Sequence, residues 1–153
     1  MQRSDAVQQA AAAASCPSVR EVIDYMASCN GIYQSFGIET LEAVPGRSRF
    51  AMRVRGDMTN SFGTCHGGVY FTLADLAIGF TCNSRNERSV TAGASIEFLL
   101  AAKTGDRLIV EAREIYREGR NGTYDAQISI DGGPVVALVR GRMRIVGGPV
   151  VPA

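Results

Sequence analysis

The chain has 153 residues, 46% of them hydrophobic and 20% charged, with a formal net charge of +1. This length and composition are typical of one globular domain that can bury a sizeable core. The balanced charge excludes a broad electrostatic footprint for nucleic acid or a membrane surface, and no apolar run approaches the length of a membrane span.

The four cysteines and the single histidine argue against several kinds of site. The cysteines show neither C-x-x-C spacing nor the density of a disulfide scaffold, and a zinc site with one histidine would need an unusual ligand set. Glycine-rich dinucleotide and phosphate-loop motifs are also absent from the sequence. We therefore expect a reduced, cytoplasmic protein without a metal, and with neither nucleic acid nor a membrane as partner.

The N-terminal region divides into a tail and a helix. Residues 1–17 are of low complexity and predict a flexible tail, followed by a single domain over residues 18–148 and a short C-terminal tail, 149–153. Ser18 and Glu21 form the capping-box pattern S-x-x-E at the start of an amphipathic run. Asn30-Gly31 is a stop pattern, so one helix is predicted between them.

Strand patterns follow on both sides of a central apolar segment. From Ile32 the sequence is strand-like, and residues 41–44 lead into the turn pair Pro45-Gly46. In residues 50–55 large apolar side chains alternate with Ala51 and two arginines, which predicts one buried face and one solvent-exposed face that includes Ala51. Residues 56–63 are predicted as a loop. Further alternating runs cover residues 90–98, 108–112, 124–130 and 135–145, and Ile115 breaks parity, which predicts a bulge near Arg113-Glu114.

The central segment holds the candidate chemistry. Residues 69–80 are long enough for a helix that is apolar on nearly every side, so protein must cover most of it. Asp75 lies in its middle, where a carboxylate is costly unless it is paired or used in a reaction, and burial is expected to raise its pKa. His66, Gly67 and Gly68 stand before the helix, whose first N–H groups are free donors. These parts are the ones needed to add water to a polarised carbonyl.

Hairpin-joined strands around one apolar helix have few physical solutions. The pattern predicts an α+β fold in which a curved antiparallel β-sheet wraps around a long central apolar helix. One sheet cannot easily cover a helix that is apolar all round, so we expect a second subunit to cover the rest.

Several blocks of the sequence resemble one family. The run N-S-F-G-T-C-H-G-G-V-Y-F-T-L-A-D-L-A-I-G-F-T-C-N-S-R is similar to the central segment of hotdog-fold acyl-CoA thioesterases of the phenylacetic-acid-degradation (PaaI) type. The runs T-A-G-A-S-I-E-F-L, R-E-G-R-N-G-T-Y-D and R-G-R-M-R-I-V-G-G resemble the same family, and the likeness covers roughly residues 20–148. It implies subunits that pair by joining their sheets, often as tetramers, with the active site at the subunit interface.

The resemblance also implies catalytic roles. By it, the Gly67 N–H polarises the thioester carbonyl, and Asp75 is the essential carboxylate, acting as general base or as nucleophile. Asn60 matches a position that orients the acyl end or the water, and Thr91 a hydroxyl position that orients water. His66 matches a residue that mostly braces the loop, with direct catalysis as the less favoured reading.

The same resemblance implies a coenzyme A surface. Arginines of the later strands and hairpin match blocks that line the nucleotide in similar proteins, although an ordinary solvated strand face remains an alternative. Gly119 and Asn121 lie in the same blocks but could simply be turn residues, and one phenylalanine is expected in the core or at the pantetheine channel. The predicted binding residues are Gly68, Gly93, Phe98, Arg117, Gly119, Arg120, Asn121 and Arg142.

Three functions compete at this stage. The leading one is hydrolysis of an acyl-CoA thioester, with an aromatic acyl group implied by the resemblance alone; coenzyme A is then part of the substrate, and no cofactor is needed. A hotdog hydratase or dehydratase is the second, but such enzymes use an Asp-His pair for which His66 has no aspartate at the required spacing. An acyl-CoA sensor or scaffold is the third, and the presence of Asp75 counts against it.

Overall fold

The structure is a computed structural model that describes residues 16–152. The predicted N-terminal tail therefore lies almost entirely outside the described residues. No helix within residues 16–152 is long and apolar enough to cross a membrane.

Helix α1 (Val19–Cys29) begins as its sequence predicts. The Glu21 N–H donates to Ser18 Oγ at 3.3 Å, and the Ser18 N–H donates to Glu21 Oε2 at 2.8 Å, which completes the capping box. Asn30 ends α1 but also caps a second helix, α2 (Gly31–Ser35), because its Oδ1 accepts the Tyr33 N–H at 2.9 Å. The prediction of a strand from Ile32 is therefore wrong, and the first strand starts at Glu39.

The six strands form one antiparallel sheet in the order β1-β2-β4-β5-β6-β3. Helix α3 (Gly67–Asn83) packs against strands β2 to β6, and a 3₁₀ turn (Gly56–Met58) lies in the preceding loop. The predicted α+β architecture is confirmed, with β1 and β3 as the sheet edges. The strands are β1 (Glu39–Val44), β2 (Arg47–Arg53), β3 (Ser89–Phe98), β4 (Arg107–Glu118), β5 (Asn121–Ile130) and β6 (Val135–Ile145).

Strand faces follow the sequence pattern with two exceptions. Ala51 is fully buried rather than wet, because its short side chain lies between Glu39 and Ile109 of the neighbouring strands. In β3 a bulge between Thr91 and Gly93 shifts the register, so that Thr91 pairs with Met143 and faces the helix. Simple alternation predicts Thr91 on the opposite face, and the extra residue of the bulge is the reason that it is wrong.

A second bulge lies in β4 between Glu114 and Tyr116, next to the predicted position. There Glu114 accepts hydrogen bonds from Tyr124 Oη at 2.7 Å and from Arg85 at 2.6 and 3.0 Å. Burial disfavours the charged form of Glu114, but the hydrogen bonds from Tyr124 and Arg85 outweigh it and hold its pKa below the usual value. This carboxylate ties the bulge to the end of α3.

We expect Glu114→Gln to lower the free energy of unfolding at neutral pH by about 1–3 kcal/mol, because Gln cannot accept all three bonds as a charged group. A folded-state pKa below the unfolded one gives stability that is present above the unfolded value and is lost as pH falls through the folded value. The gap between wild type and variant in urea unfolding should therefore shrink below about pH 4.5. The exposed Glu118→Gln is the control, and a gap that does not change with pH would contradict the account.

Candidate active site

The start of α3 is organised by His66. Its backbone N–H donates to the Met58 carbonyl at 2.9 Å, and its Nδ1 accepts the Gly68 N–H at 2.9 Å, so the ring acts as N-cap. A neutral ring that accepts at Nδ1 carries its proton on Nε2. The Gly67 N–H makes no hydrogen bond within residues 16–152. The helix therefore presents one free backbone donor at its first residue.

Gly67 is held close to an aromatic ring. A Cβ added at this position would lie 2.9 Å from Cζ of Phe98, closer than side chains normally approach. Beside it is a groove of about 350 Å³, which we call the helix-start groove. All the residues that line it are uncharged: Asn60, Thr64, Cys65, Gly67, Tyr70, Phe98, Leu99, Leu100 and Ala101.

Asn60 reaches this groove from the loop before the helix. Its Oδ1 accepts the N–H groups of Phe62 at 2.9 Å and Thr64 at 3.2 Å, and its Nδ2 donates to Thr64 Oγ1 at 3.0 Å. The side chain thus shapes the loop, and one amide hydrogen is left for another partner. Asn60 and Gly67 line the same groove, and most of the polar capacity of the Asn60 side chain is already used within the loop.

Asp75 lies further along α3, with Thr91 as its partner. The Thr91 hydroxyl donates to Asp75 Oδ1 at 2.7 Å. Asp75 is half-buried, and it belongs to a stripe on α3 that the chain's own sheet leaves uncovered: Gly68, Phe71, Thr72, Asp75 and Gly79. The expected wrapping of the helix on all sides is therefore not achieved within one chain.

The two parts of the predicted site do not meet inside one chain. Gly67 and Asp75 are eight residues apart on a continuous helix, which separates them by about 12 Å along its axis. The helix-start groove includes neither Asp75 nor Thr91. A donor and a carboxylate at that separation cannot both act on one carbonyl group, for which each must lie about 3 Å away.

The predicted coenzyme A residues differ in how free they are. The Arg142 guanidinium lies across Gly93 at the sheet edge, where a Cβ would be 2.7 Å from its Nη2. Neither Arg142 nor Arg120 forms an ion pair within the described residues. Arg117 is ion-paired with Glu87 and its side chain is 20% exposed. It is therefore less available for a ligand than its place in the sequence predicts.

The remaining candidates lie at turns. Gly119 has φ +54° in the β4–β5 hairpin, a conformation that favours glycine. The Asn121 side chain accepts from Arg144 Nη1 at 2.9 Å, which ties this hairpin to β6. Gly68 is exposed, and its N–H already donates to His66 Nδ1. Both Gly119 and Asn121 thus have structural roles whether or not they touch a ligand.

Tyr70 is a groove residue that the sequence interpretation missed. Its hydroxyl accepts the Ala102 N–H at 2.7 Å, so it fixes the segment after β3 that forms one groove wall. A tyrosine in an otherwise apolar helix could have pointed to this role, since a buried hydroxyl needs a partner. Cys65 lies next to it; burial raises the pKa of its thiol to about 11, partly opposed by a hydrogen bond with Tyr70. A thiol of this kind suits packing rather than nucleophilic attack.

A larger cavity of about 550 Å³ lies on the other face of the sheet. Paired charged groups line it, among them Arg140 and Asp125 at 2.6 Å, and it contains none of the predicted site residues. Within residues 16–152, no cluster of three or more His, Cys, Asp or Glu side chains is placed to hold a metal ion. The candidate chemistry therefore stays with α3 and its surroundings.

Comparison with known proteins identifies the family. Residues 62–137 match the thioesterase superfamily. The acyl-coenzyme A thioesterase PaaI of Escherichia coli is 32% identical over 117 residues, which are 76% of this chain and 84% of that protein. The chain belongs to the thioesterase superfamily. As a PaaI-type member it is a thioester hydrolase.

Solved structures agree with this assignment. The structure of the E. coli PaaI protein from the phenylacetic acid degradation operon superposes on this thioesterase with a TM-score of 0.84, at 30% identity, covering 86% of this chain and 95% of that one. The hotdog fold is thereby confirmed. Human acyl-coenzyme A thioesterase 13 is 31% identical over 106 residues, 67% of this chain and 75% of that protein.

A third relative has been crystallised in several forms. A hypothetical thioesterase of Streptococcus pneumoniae with bound coenzyme A gives a TM-score of 0.71 at 26% identity, covering 73% of this thioesterase and 90% of that chain. Structures of an Asp-to-Ala and a Thr-to-Ala variant also match, and their two substituted positions are 16 residues apart.

Proposed function

We propose that this thioesterase hydrolyses acyl-CoA, preferring aromatic acyl groups of the phenylacetyl or hydroxyphenylacetyl type, at a site built from two copies of the chain. One chain supplies the Gly67 N–H and the other supplies Asp75. The observation that carries this proposal is a hydrogen-bonded, half-buried carboxylate on the same helix whose first residue presents a free N–H.

Each group has a physical role in the reaction. The Gly67 N–H donates to the thioester oxygen as negative charge develops on it, and a donor that is already fixed at a helix start costs little reorganisation. Asp75 either takes a proton from the attacking water or attacks the carbonyl itself to give an anhydride that water then opens. In both routes coenzyme A leaves as the thiol. No metal or cofactor is needed, because coenzyme A is part of the substrate.

Thr91 and His66 act through other groups. The Thr91 hydroxyl holds one oxygen of Asp75 at 2.7 Å, which leaves the second oxygen for water or substrate. In the S. pneumoniae relative, the substituted aspartate and threonine have the same 16-residue separation as Asp75 and Thr91. His66 fixes the helix start by accepting the Gly68 N–H, so we assign it a positioning role.

Two features support a two-chain site. The separation of about 12 Å between Gly67 and Asp75 rules out joint action within one chain. Strand β3 is ten residues long and, within residues 16–152, has a neighbour on one side only, so its other edge offers unpaired backbone groups to a second copy. Pairing there also covers the open stripe of α3, which lies beside this edge. We propose a homodimer formed by joining β3 edges, with a tetramer as a pair of such dimers.

Coenzyme A is proposed to lie along the basic β3–β6 edge of the sheet, which also carries Thr91. Arg142 crosses Gly93, two residues from Thr91, and its guanidinium suits a phosphate. Arg120, at the neighbouring hairpin, is a second phosphate donor. Arg117 is ion-paired with Glu87, so we do not assign it a direct phosphate contact. The S. pneumoniae relative with bound coenzyme A supports this class of ligand. The cytoplasmic location of the protein stays a prediction.

The alternatives are less well supported. A hydratase of this fold needs a carboxylate beside the histidine, whereas the His66 ring accepts the Gly68 backbone N–H. A sensor or scaffold does not need the Asp75–Thr91 pair. The aromatic preference is supported by the operon of the E. coli relative and by the rings of Tyr70 and Phe98 in the groove, with centroids 6.3 Å apart.

A thiol-release assay tests the proposal. The purified full chain is given phenylacetyl-, hydroxyphenylacetyl-, acetyl-, hexanoyl- and decanoyl-CoA, and kcat/KM is measured for each. We expect turnover, highest for the two aryl-acetyl substrates. Tight binding without thiol release from any of these substrates would favour the sensor function over hydrolysis. A preference for straight-chain acyl groups would contradict the aromatic preference but leave acyl-CoA hydrolysis standing.

A further inference from the structure

Phe62 is the most exposed large apolar residue among those the structure describes. It lies at the tip of the loop before α3, and 89% of it is exposed. A single exposed apolar residue needs no explanation, but the loop of this one reaches the helix-start groove through Asn60 and Thr64. Phe98, Leu99 and Leu100, which line the helix-start groove, are each about half exposed. The mouth of the groove is therefore unusually apolar.

The loop fixes the backbone that carries this ring. Asn60 accepts the Phe62 N–H at 2.9 Å, the Gly63 N–H donates to the Asn60 carbonyl at 3.0 Å, and the Asn60 N–H donates to the Thr64 carbonyl at 2.8 Å. Gly63 has φ +76°, which lets the chain turn back directly after the ring. A tip with this many bonds fixes the point at which the Phe62 side chain leaves the backbone.

Its position is next to the acyl side of the proposed site. The two residues that begin and end the tip, Asn60 and Thr64, both line the groove together with Gly67. Uncharged walls would disfavour the phosphates of a nucleotide, because removing their charges from water without a partner is costly. In the proposed two-chain site, the arginine at Gly93 is supplied together with Asp75 by the other chain. The acyl group therefore fits the groove of the first chain, and the nucleotide fits the basic edge of the second.

We propose that Phe62 is a specificity-determining residue that packs against the acyl group at the mouth of the helix-start groove. The inference rests on the proposed acyl-CoA hydrolysis and deepens it. Phe62 sets the preference for bulky, flat or aromatic acyl groups over acetyl, because an acetyl group offers the ring only a methyl group to pack against. Asn60 acts as the positioning residue that holds the tip.

The test compares Phe62→Ala and Phe62→Leu with wild type, with the neighbouring Ser61→Ala as matched control. Each protein is assayed with acetyl, hexanoyl and phenylacetyl groups, both as CoA thioesters and as thioesters of N-acetylcysteamine, which lacks the nucleotide. We expect Phe62→Ala to lower kcat/KM for phenylacetyl by about tenfold and to leave acetyl within about twofold, with both thiols. Phe62→Leu should move the preference towards hexanoyl, and Ser61→Ala should match wild type.

Other outcomes would overturn the proposal. An equal loss for all acyl groups that disappears with N-acetylcysteamine thioesters would place Phe62 on coenzyme A. A loss accompanied by dissociation in sedimentation velocity, with the acyl preference of Phe62→Leu unchanged, would make it an interface residue only. Wild-type turnover with unchanged preference in both variants would remove this inference and leave the proposed function standing, whereas a wild type that hydrolyses no substrate would remove the proposed function itself.

Discussion

Replacing Asp75 by asparagine is expected to lower kcat by about 10²-fold or more while KM stays near the wild-type value. Asparagine has the same shape, and its Oδ1 can still accept the Thr91 hydroxyl that now lies 2.7 Å from the carboxylate. The fold and acyl-CoA binding should therefore survive. Neither general-base nor nucleophilic catalysis can operate, because the amide is uncharged and is neither a base nor a good nucleophile.

The measurement is thiol release with phenylacetyl-CoA, together with calorimetric binding of the same substrate to the variant. Asp24→Asn on α1 is the matched control. Asp24 is exposed, its carboxylate pairs with Arg20 on the same helix, and both residues are far along the chain from Asp75. Activity of Asp75→Asn within a few-fold of wild type would remove Asp75 from the mechanism.

Replacing Gly67 by proline is expected to lower kcat by about 10²–10³-fold, the usual loss for one oxyanion donor. Gly67 is the first residue of α3, and proline is well tolerated there because its N–H would have no partner in the helix. His66 has ψ 137°, an extended conformation that is compatible with a following proline. The substitution therefore deletes the proposed donor and keeps the helix.

Gly67→Ala separates the lost donor from the added side chain. Alanine keeps the N–H but adds the Cβ that would lie 2.9 Å from the Phe98 ring, which must then move. Because Phe98 is 56% exposed, the ring has room to move, and we expect a modest rise in KM. Steady-state kinetics of both variants are the measurement. Equal kcat values for Gly67→Pro and Gly67→Ala would contradict the role of the N–H.

Local patterns predicted the parts of the fold that local physics controls. The capping box at Ser18, the apolar helix around Asp75 and the hairpin at Gly119 each follow from a few neighbouring residues. Asn30 shows the limit of this approach, since one side chain both ends α1 and starts α2. The β3 bulge depends on pairing with β6, which lies some fifty residues away, and alternation within one strand could not show it.

The candidate site follows the same division. The glycines and His66 before α3, and Asp75 within it, stand out in the sequence because helix starts and buried carboxylates have clear physical costs. The Thr91–Asp75 bond depends on the bulge, and the engagement of Arg117 by Glu87 depends on a contact across 30 residues. Tyr70 and the loop of Phe62 border a groove that forms only when distant segments of the chain fold together, so local patterns alone do not place them there.

Complementation between two inactive chains tests the two-chain site most directly. Asp75→Asn and Gly67→Pro chains, carrying different tags, are co-expressed, and the mixed dimer is purified through both tags. Each mixed dimer should contain one intact site, with Gly67 from the first chain and Asp75 from the second, and one site that lacks both groups. We expect about half of the wild-type kcat per dimer, from two parents that are each nearly inactive. A mixed dimer no more active than its parents would contradict the shared site.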